Sequence, residues 1–149
     1  MTINRIRNFF DLPFASKLLF FEALLTLSTA RVTILIFSFK RISKKLGRVG
    51  IESSSDLSSD KLKEVQTICK AVKKASNYVF FRAMCLEQGL TGKIMLNRRQ
   101  ISSTLYLGVN KDDQAYLKAH AWLRAGNHIF LGKKGMKKFK VISYFGTEF

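Results

Sequence analysis

The sequence predicts a single α+β domain, and three observations carry that reading. Leu62, Val65, Ile68, Cys69, Val72 and Ala75 recur at the i, i+3, i+4, i+7 spacing of one buried helix face. Two later runs, Ile101 to Val109 and Tyr116 to Arg124, alternate as strands do. A chain of 149 residues with 47% hydrophobic residues is the size of one domain and can bury a core. A helical first part followed by a run of strands is the α+β pattern.

The elements follow in order. Residues 1–13 are a polar-aromatic lead-in ended by Pro13, the single proline, which suits a helix start. Ala15 to about Phe37 reads as helix, although Val32, Thr33, Ile34 and Ile36 also suit a strand. Lys40 to Arg48 is a basic helix end or loop, with Gly47 as a stop. Ile51 to Ser59 holds five serines and no core pattern, which reads as a linker. Asp60 or Ser59 caps the next helix, which ends at Ser76-Asn77 and places Cys69 in the core.

A further helix is expected from Cys85 to about Arg98. Gly89 and Gly92 cost it about 1 kcal/mol each relative to Ala, and let a strand or a substrate backbone approach closely. The strand Ile101 to Val109 follows, then a turn at Asn110 to Asp113. The strand Tyr116 to Arg124 sets Leu117, Ala119, Ala121 and Leu123 on one face and Lys118, His120, Trp122 and Arg124 on the other. Gly126-Asn127 turns into the strand His128 to Leu131. A basic loop at Lys133 to Lys138 leads to the last strand, Phe139 to Phe145. The chain thus divides into an apolar and basic helical arm (1–50), a Ser-rich linker (51–59) and the main domain (60–149).

Twenty-six Lys and Arg against ten Asp and Glu leave a net charge of +16, which favours acidic partners: nucleic acid, an anionic membrane face or an acidic peptide. Against nucleic acid, many of the aromatic residues lie in the N-terminal arm instead of sharing a face with the Lys and Arg. Two cysteines without a CxxC pair argue against a zinc site and a disulfide framework, so no metal or cofactor is expected. A reducing compartment, the cytoplasm, fits. Phe14 to Phe39 is apolar, but Lys17, Glu22 and Arg31 interrupt it below the ~18–20 apolar residues of a spanning helix. Its readings are packing, partner binding, or association with a membrane surface.

Cys85 and His120 carry the candidate chemistry. A cysteine at a helix start lies beside unpaired N–H groups and the positive end of the helix dipole, both of which favour thiolate. A histidine alongside completes the activated nucleophile of cysteine hydrolases. Spacing alone does not separate this pair from a buried structural cysteine. The surrounding text adds to it: Cys85-Leu86-x-Gln88, the helix end Leu96-Asn97-Arg98-Arg99-Gln100-Ile101, the strand Leu105-Tyr106-Leu107-Gly108-Val109, then Ala119-His120-Ala121-Trp122. Upstream stand Glu22-Ala23-Leu24-Leu25, Ala30-Arg31, Phe39-Lys40-Arg41 and Lys45-Leu46-Gly47. The whole, from about Leu18 to Phe145, resembles the transglutaminase-like leader peptidases of lasso-peptide biosynthesis.

The resemblance implies a papain-related core, a Cys-bearing helix on an antiparallel sheet. It implies that Cys85 attacks the scissile carbonyl and that His120 moves the protons. It also implies a cytoplasmic cysteine endopeptidase, the stand-alone half of a split enzyme. Its partners would be a lasso precursor peptide, a small leader-recognition protein and a separate macrolactam synthetase. The Cys85 N–H would serve an oxyanion. Gln88 and Trp122 are candidate substrate-binding residues, each with a packing alternative. The family carries an Asp after the histidine. Here no Asp or Glu lies between His120 and Thr147, so the orienter is Asn127 or a backbone carbonyl. Three other readings stay open: an acyltransferase on the same fold, a scaffold that has lost activity, and a basic nucleic-acid binder.

Overall fold

The structure, a computed structural model, describes residues 13–149. The lead-in over 1–12 lies outside the described residues. Helix α1 (Phe14–Ile36) follows Pro13, and a short α2 (Phe39–Ser43) turns the chain into β1 (Arg48–Val49). Helices α3 (Ser59–Ser76) and α4 (Cys85–Arg98) come next, then β2 (Ser103–Lys111), β3 (Leu117–Ala125), β4 (His128–Leu131) and β5 (Lys140–Thr147). The strands form one antiparallel sheet in the order β1-β5-β2-β3-β4. This α+β architecture of helices on a five-stranded sheet is the one expected of a transglutaminase-like domain.

Three helices and one sheet face share a single core. Phe20, Ala23, Leu27 and Ala30 of α1 pack with Val65, Ile68, Cys69 and Val72 of α3 and with Leu90, Met95 and Leu96 of α4. Leu105, Ala121, Leu123 and Leu131 complete it from the sheet. Helix α1 therefore belongs to the same packed unit as residues 60–149. It is a candidate membrane span by length and composition, despite the charges that interrupt its sequence. Two of those charges, Glu22 and Arg31, are paired within the protein. Glu22 accepts from Arg99 Nη2 at 2.7 Å and lies 3.2 Å from Arg98 Nη1, and Arg31 meets Glu87 at 2.8 Å. Hydrogen bonding from Arg99 holds the Glu22 carboxyl below the usual carboxylate range.

Close packing of α4 on the sheet depends on its two glycines. A Cβ on Gly89 would stand 2.8 Å from Leu105 Cδ1, and one on Gly92 would stand 2.6 Å from Leu131 Cδ1. The approach inferred for these positions is made by strands β2 and β4. Two details differ from expectation. The cap of α3 is Ser58, whose Oγ accepts from the Lys61 N–H, because the helix begins two residues earlier than an Asp60 cap requires and one earlier than a Ser59 cap requires. The Ser-rich segment over 51–59 is tied to the sheet: Ser53 N–H and Oγ both bond Thr104 Oγ1, and Arg124 donates to the Ser53 carbonyl at 2.7 Å. Hydrogen bonds hold this stretch, so hydrophobic periodicity does not reveal it.

Candidate active site

Cys85 is the first residue of α4, half-buried, after a loop that ends at the cap residue Met84. Glu87 reaches back so that Met84 N–H donates to its Oε2 at 3.1 Å. Arg31 neutralises this carboxylate, so the first turn carries an ion pair instead of a bare negative charge beside the thiol. The Cys85 and Leu86 N–H groups belong to the helix start, where no carbonyl lies four residues back within the helix. Gln88 does not point free. Its Nε2 donates to the Ala83 carbonyl at 3.1 Å and ties the loop to the helix it opens.

Cys69 contrasts with Cys85. It is buried in the core, and desolvation pushes its thiol up to about 12. It is a packing residue, as its place on the α3 core face predicts.

His120 lies on β3 opposite Gly108 of β2. Its Nε2 is 2.7 Å from the Gly132 carbonyl oxygen. A carbonyl only accepts, so Nε2 carries the proton and Nδ1 of the neutral ring is the free acceptor. The ring lies against Phe139, with centroids 5.0 Å apart, and against Trp122 at 5.9 Å. Trp122 is buried and stacks on Tyr106 at 5.6 Å and 7°. It therefore packs the sheet and walls the histidine at once.

The strand alternation read from the sequence holds in space. Ala121 and Leu123 meet α4 at Gly89 and Gly92, while His120, Trp122 and Arg124 occupy the other face. The imidazole thus projects from the sheet face opposite the one on which α4 rests, and its hydrogen bond goes to Gly132, not to Cys85.

Asn127 is not brought to His120. It is exposed in the hairpin turn at the far end of β3, and the five residues from His120 to Ala125 span about 17 Å at strand rise. The group on His120 Nε2 is the Gly132 carbonyl. No side-chain signal could reveal it, although the backbone alternative was open. His128 is exposed at the start of β4. Arg124 is tied into the sheet: it donates to Tyr106 Oη at 2.9 Å, to the Gly126 carbonyl at 2.6 Å and to the Ser53 carbonyl. Asp112 is a turn residue, accepting from the N–H groups of Gln114 and Tyr116.

Sequence reasoning passed over Lys93. It is fully buried on α4, two turns beyond Cys85, and its Nζ donates to the Ser103 carbonyl, to Ser103 Oγ at 3.1 Å and to Thr147 Oγ1 at 2.7 Å. Desolvation pulls this amine down to about 7. The available signal was its i+4 spacing from Gly89 on the sheet-facing side of α4. Among the described residues no group of three His, Cys, Asp or Glu could hold a metal ion.

No curated protein and no solved structure matches the chain. The family pattern of the Transglutaminase-like superfamily matches residues 28–144, which runs from the second half of α1 to β5 and includes both Cys85 and His120. That superfamily commonly includes cysteine proteases and acyltransferases. With about four-fifths of its length covered by this match, the chain belongs to the Transglutaminase-like superfamily.

Proposed function

We propose that the chain is a cysteine endopeptidase that removes the leader from a lasso-peptide precursor through a thioester acyl-enzyme. The observation that carries the chemistry is the pairing of roles at two sites. A half-buried thiol opens α4, and an imidazole is held by Gly132 with Nδ1 free to accept a proton. In the reaction the thiol proton passes to Nδ1 and Sγ bonds the scissile carbonyl carbon. The C–N bond then breaks, and the imidazolium protonates the leaving amine. Water, deprotonated by the same nitrogen, splits the thioester and restores the thiol. The helix-start N–H groups face the oxyanion. The leader-recognition protein and the macrolactam synthetase belong to this reading, on the resemblance set out above. This reading requires a rearrangement on substrate binding that brings His120 to the α4 face beside Cys85, a movement larger than the tightening of an existing hydrogen bond.

The placement of His120 on the far sheet face favours a second reading, a scaffold that binds the precursor without cutting it. One experiment separates the two. The protein is incubated with its precursor and the small leader-binding protein, and product masses are read. A single cut at the leader–core junction that disappears in Cys85→Ala supports the peptidase. Binding without a cut supports the scaffold, and transfer to an added amine supports an acyltransferase.

A further inference from the structure

Helix α1 is built inside out. Glu22 and Arg31, two of its three charged residues, turn into the protein and are held by Arg98, Arg99 and Glu87. Its large apolar side chains turn outward: Phe14, Leu18, Phe21, Leu25, Val32 and Leu35 are each more than half exposed. At 100° per residue these six fall within an arc of about 100°, along a helix about 35 Å long. An ordinary surface helix has the opposite distribution.

The stripe has two continuations. On one flank Phe20 packs edge-on against both Phe21 and Tyr78, so the loop over 77–84 adjoins α1. That loop exposes Tyr78 and Phe80 and ends at Met84, the cap of the Cys85 helix. At its C-terminal end the stripe runs into Lys40, Arg41, Lys44, Lys45 and Arg48, all exposed.

Charge decides the occupant. The outward arc of α1 carries no acidic residue, and a basic segment follows it in a chain of net charge +16. Two copies meeting through this face would bring like charges together, whereas an anionic surface attracts them. A helix crossing the bilayer would strip α1 from α3 and α4 and place Glu22 and Arg31 in hydrocarbon. A helix lying in the interface keeps both ion pairs and buries only the outer arc. We propose that α1 seats the protein on an anionic lipid surface. Its apolar arc enters the interfacial layer, and the basic segment from Lys40 to Arg48 lies against lipid phosphates. The loop leading to Cys85 then stands at the membrane surface.

Co-sedimentation of the full chain with phosphatidylcholine vesicles, with and without phosphatidylglycerol, tests this. The control is the variant Leu18→Gln/Leu25→Gln/Leu35→Gln. Because these side chains are exposed, the variant keeps its thermal midpoint. The wild type is expected to sediment with the phosphatidylglycerol vesicles, and the variant to bind them at least about tenfold more weakly. Equal binding by both proteins would show simple charge attraction and overturn the proposal. A wild type that stays in the supernatant, whether as a monomer or as a dimer that the variant abolishes, would overturn it as well. If the triple variant unfolds, single Leu25→Gln and Leu35→Gln variants carry the test, and unchanged sedimentation of both sinks the idea.

Discussion

His120 Nε2 donates to the carbonyl oxygen of Gly132 at 2.7 Å, and in the proposed peptidase this peptide carbonyl is the group that orients the imidazole. Gly132 is at φ +70°, and a Cβ there would stand 2.1 Å from the Ala121 carbonyl oxygen, so a side chain moves the backbone. Gly132→Ala is therefore expected to lower kcat by about tenfold to a hundredfold by releasing the imidazole tautomer. Asn127→Ala, at the other end of the hairpin, is expected to leave kcat within about twofold. Cleavage kinetics of the two variants decide which group orients the histidine.

The two thiols differ in reach as well as in role. In the native protein iodoacetamide should label Cys85 and spare Cys69, whose thiol is buried and shifted up to about 12. Peptide mass mapping of the alkylated protein, before and after unfolding, reads this directly. Rapid native labelling of Cys69 would contradict the packing of α3.

Lys93 makes stability depend on pH in a defined direction. Its folded value is about 7 against an unfolded value near 10.4, so within that window the unfolded state holds the extra proton. Stability from this group rises with pH across the window, by about 1.4 kcal/mol per unit, and is lowest below about pH 7. Denaturant titrations at about pH 6 and about pH 9 should show the gain, and Lys93→Met should remove most of it. An unchanged difference in the variant would assign the pH dependence elsewhere.

Arg31 is the partner of a buried carboxylate that also caps the nucleophile helix. Arg31→Met leaves Glu87 with the Met84 N–H as its remaining donor. The expected loss of stability is about 2–3 kcal/mol, below a fully buried pair because Arg31 is partly exposed. On the proposed peptidase reading, cleavage should fall with it, since the Met84 turn positions Cys85. Restored activity in Arg31→Met/Glu87→Gln would confirm that the cost is the unpaired charge.

The helices and strands legible in the sequence are those whose side chains alternate between water and core. The α3 face from Val65 to Ala75 and the β3 alternation around Ala121 are the plain cases. What could not be read depends on the backbone or on distant residues. Strand β1 is only Arg48–Val49 and exists because β5 pairs with it. The acceptors of Lys93 come from residues 103 and 147, and the partner of His120 is a peptide carbonyl. Periodicity also located α1 without saying which face turns inward. Its polar flank packs through ion pairs, and much of its apolar surface stays outside.

The strand order has a consequence for synthesis. β5, the last described strand, lies between β1 and β2, and antiparallel pairing joins it to both. While the chain emerges from the ribosome, β2 keeps a bare edge and β1 has no neighbour until residues 140–147 arrive. The hairpin of β3 and β4 and the three helices can assemble earlier, but the sheet closes late. An open strand edge in a half-made chain invites association with other chains, and a nascent chain of this topology depends on rapid completion or on chaperone cover.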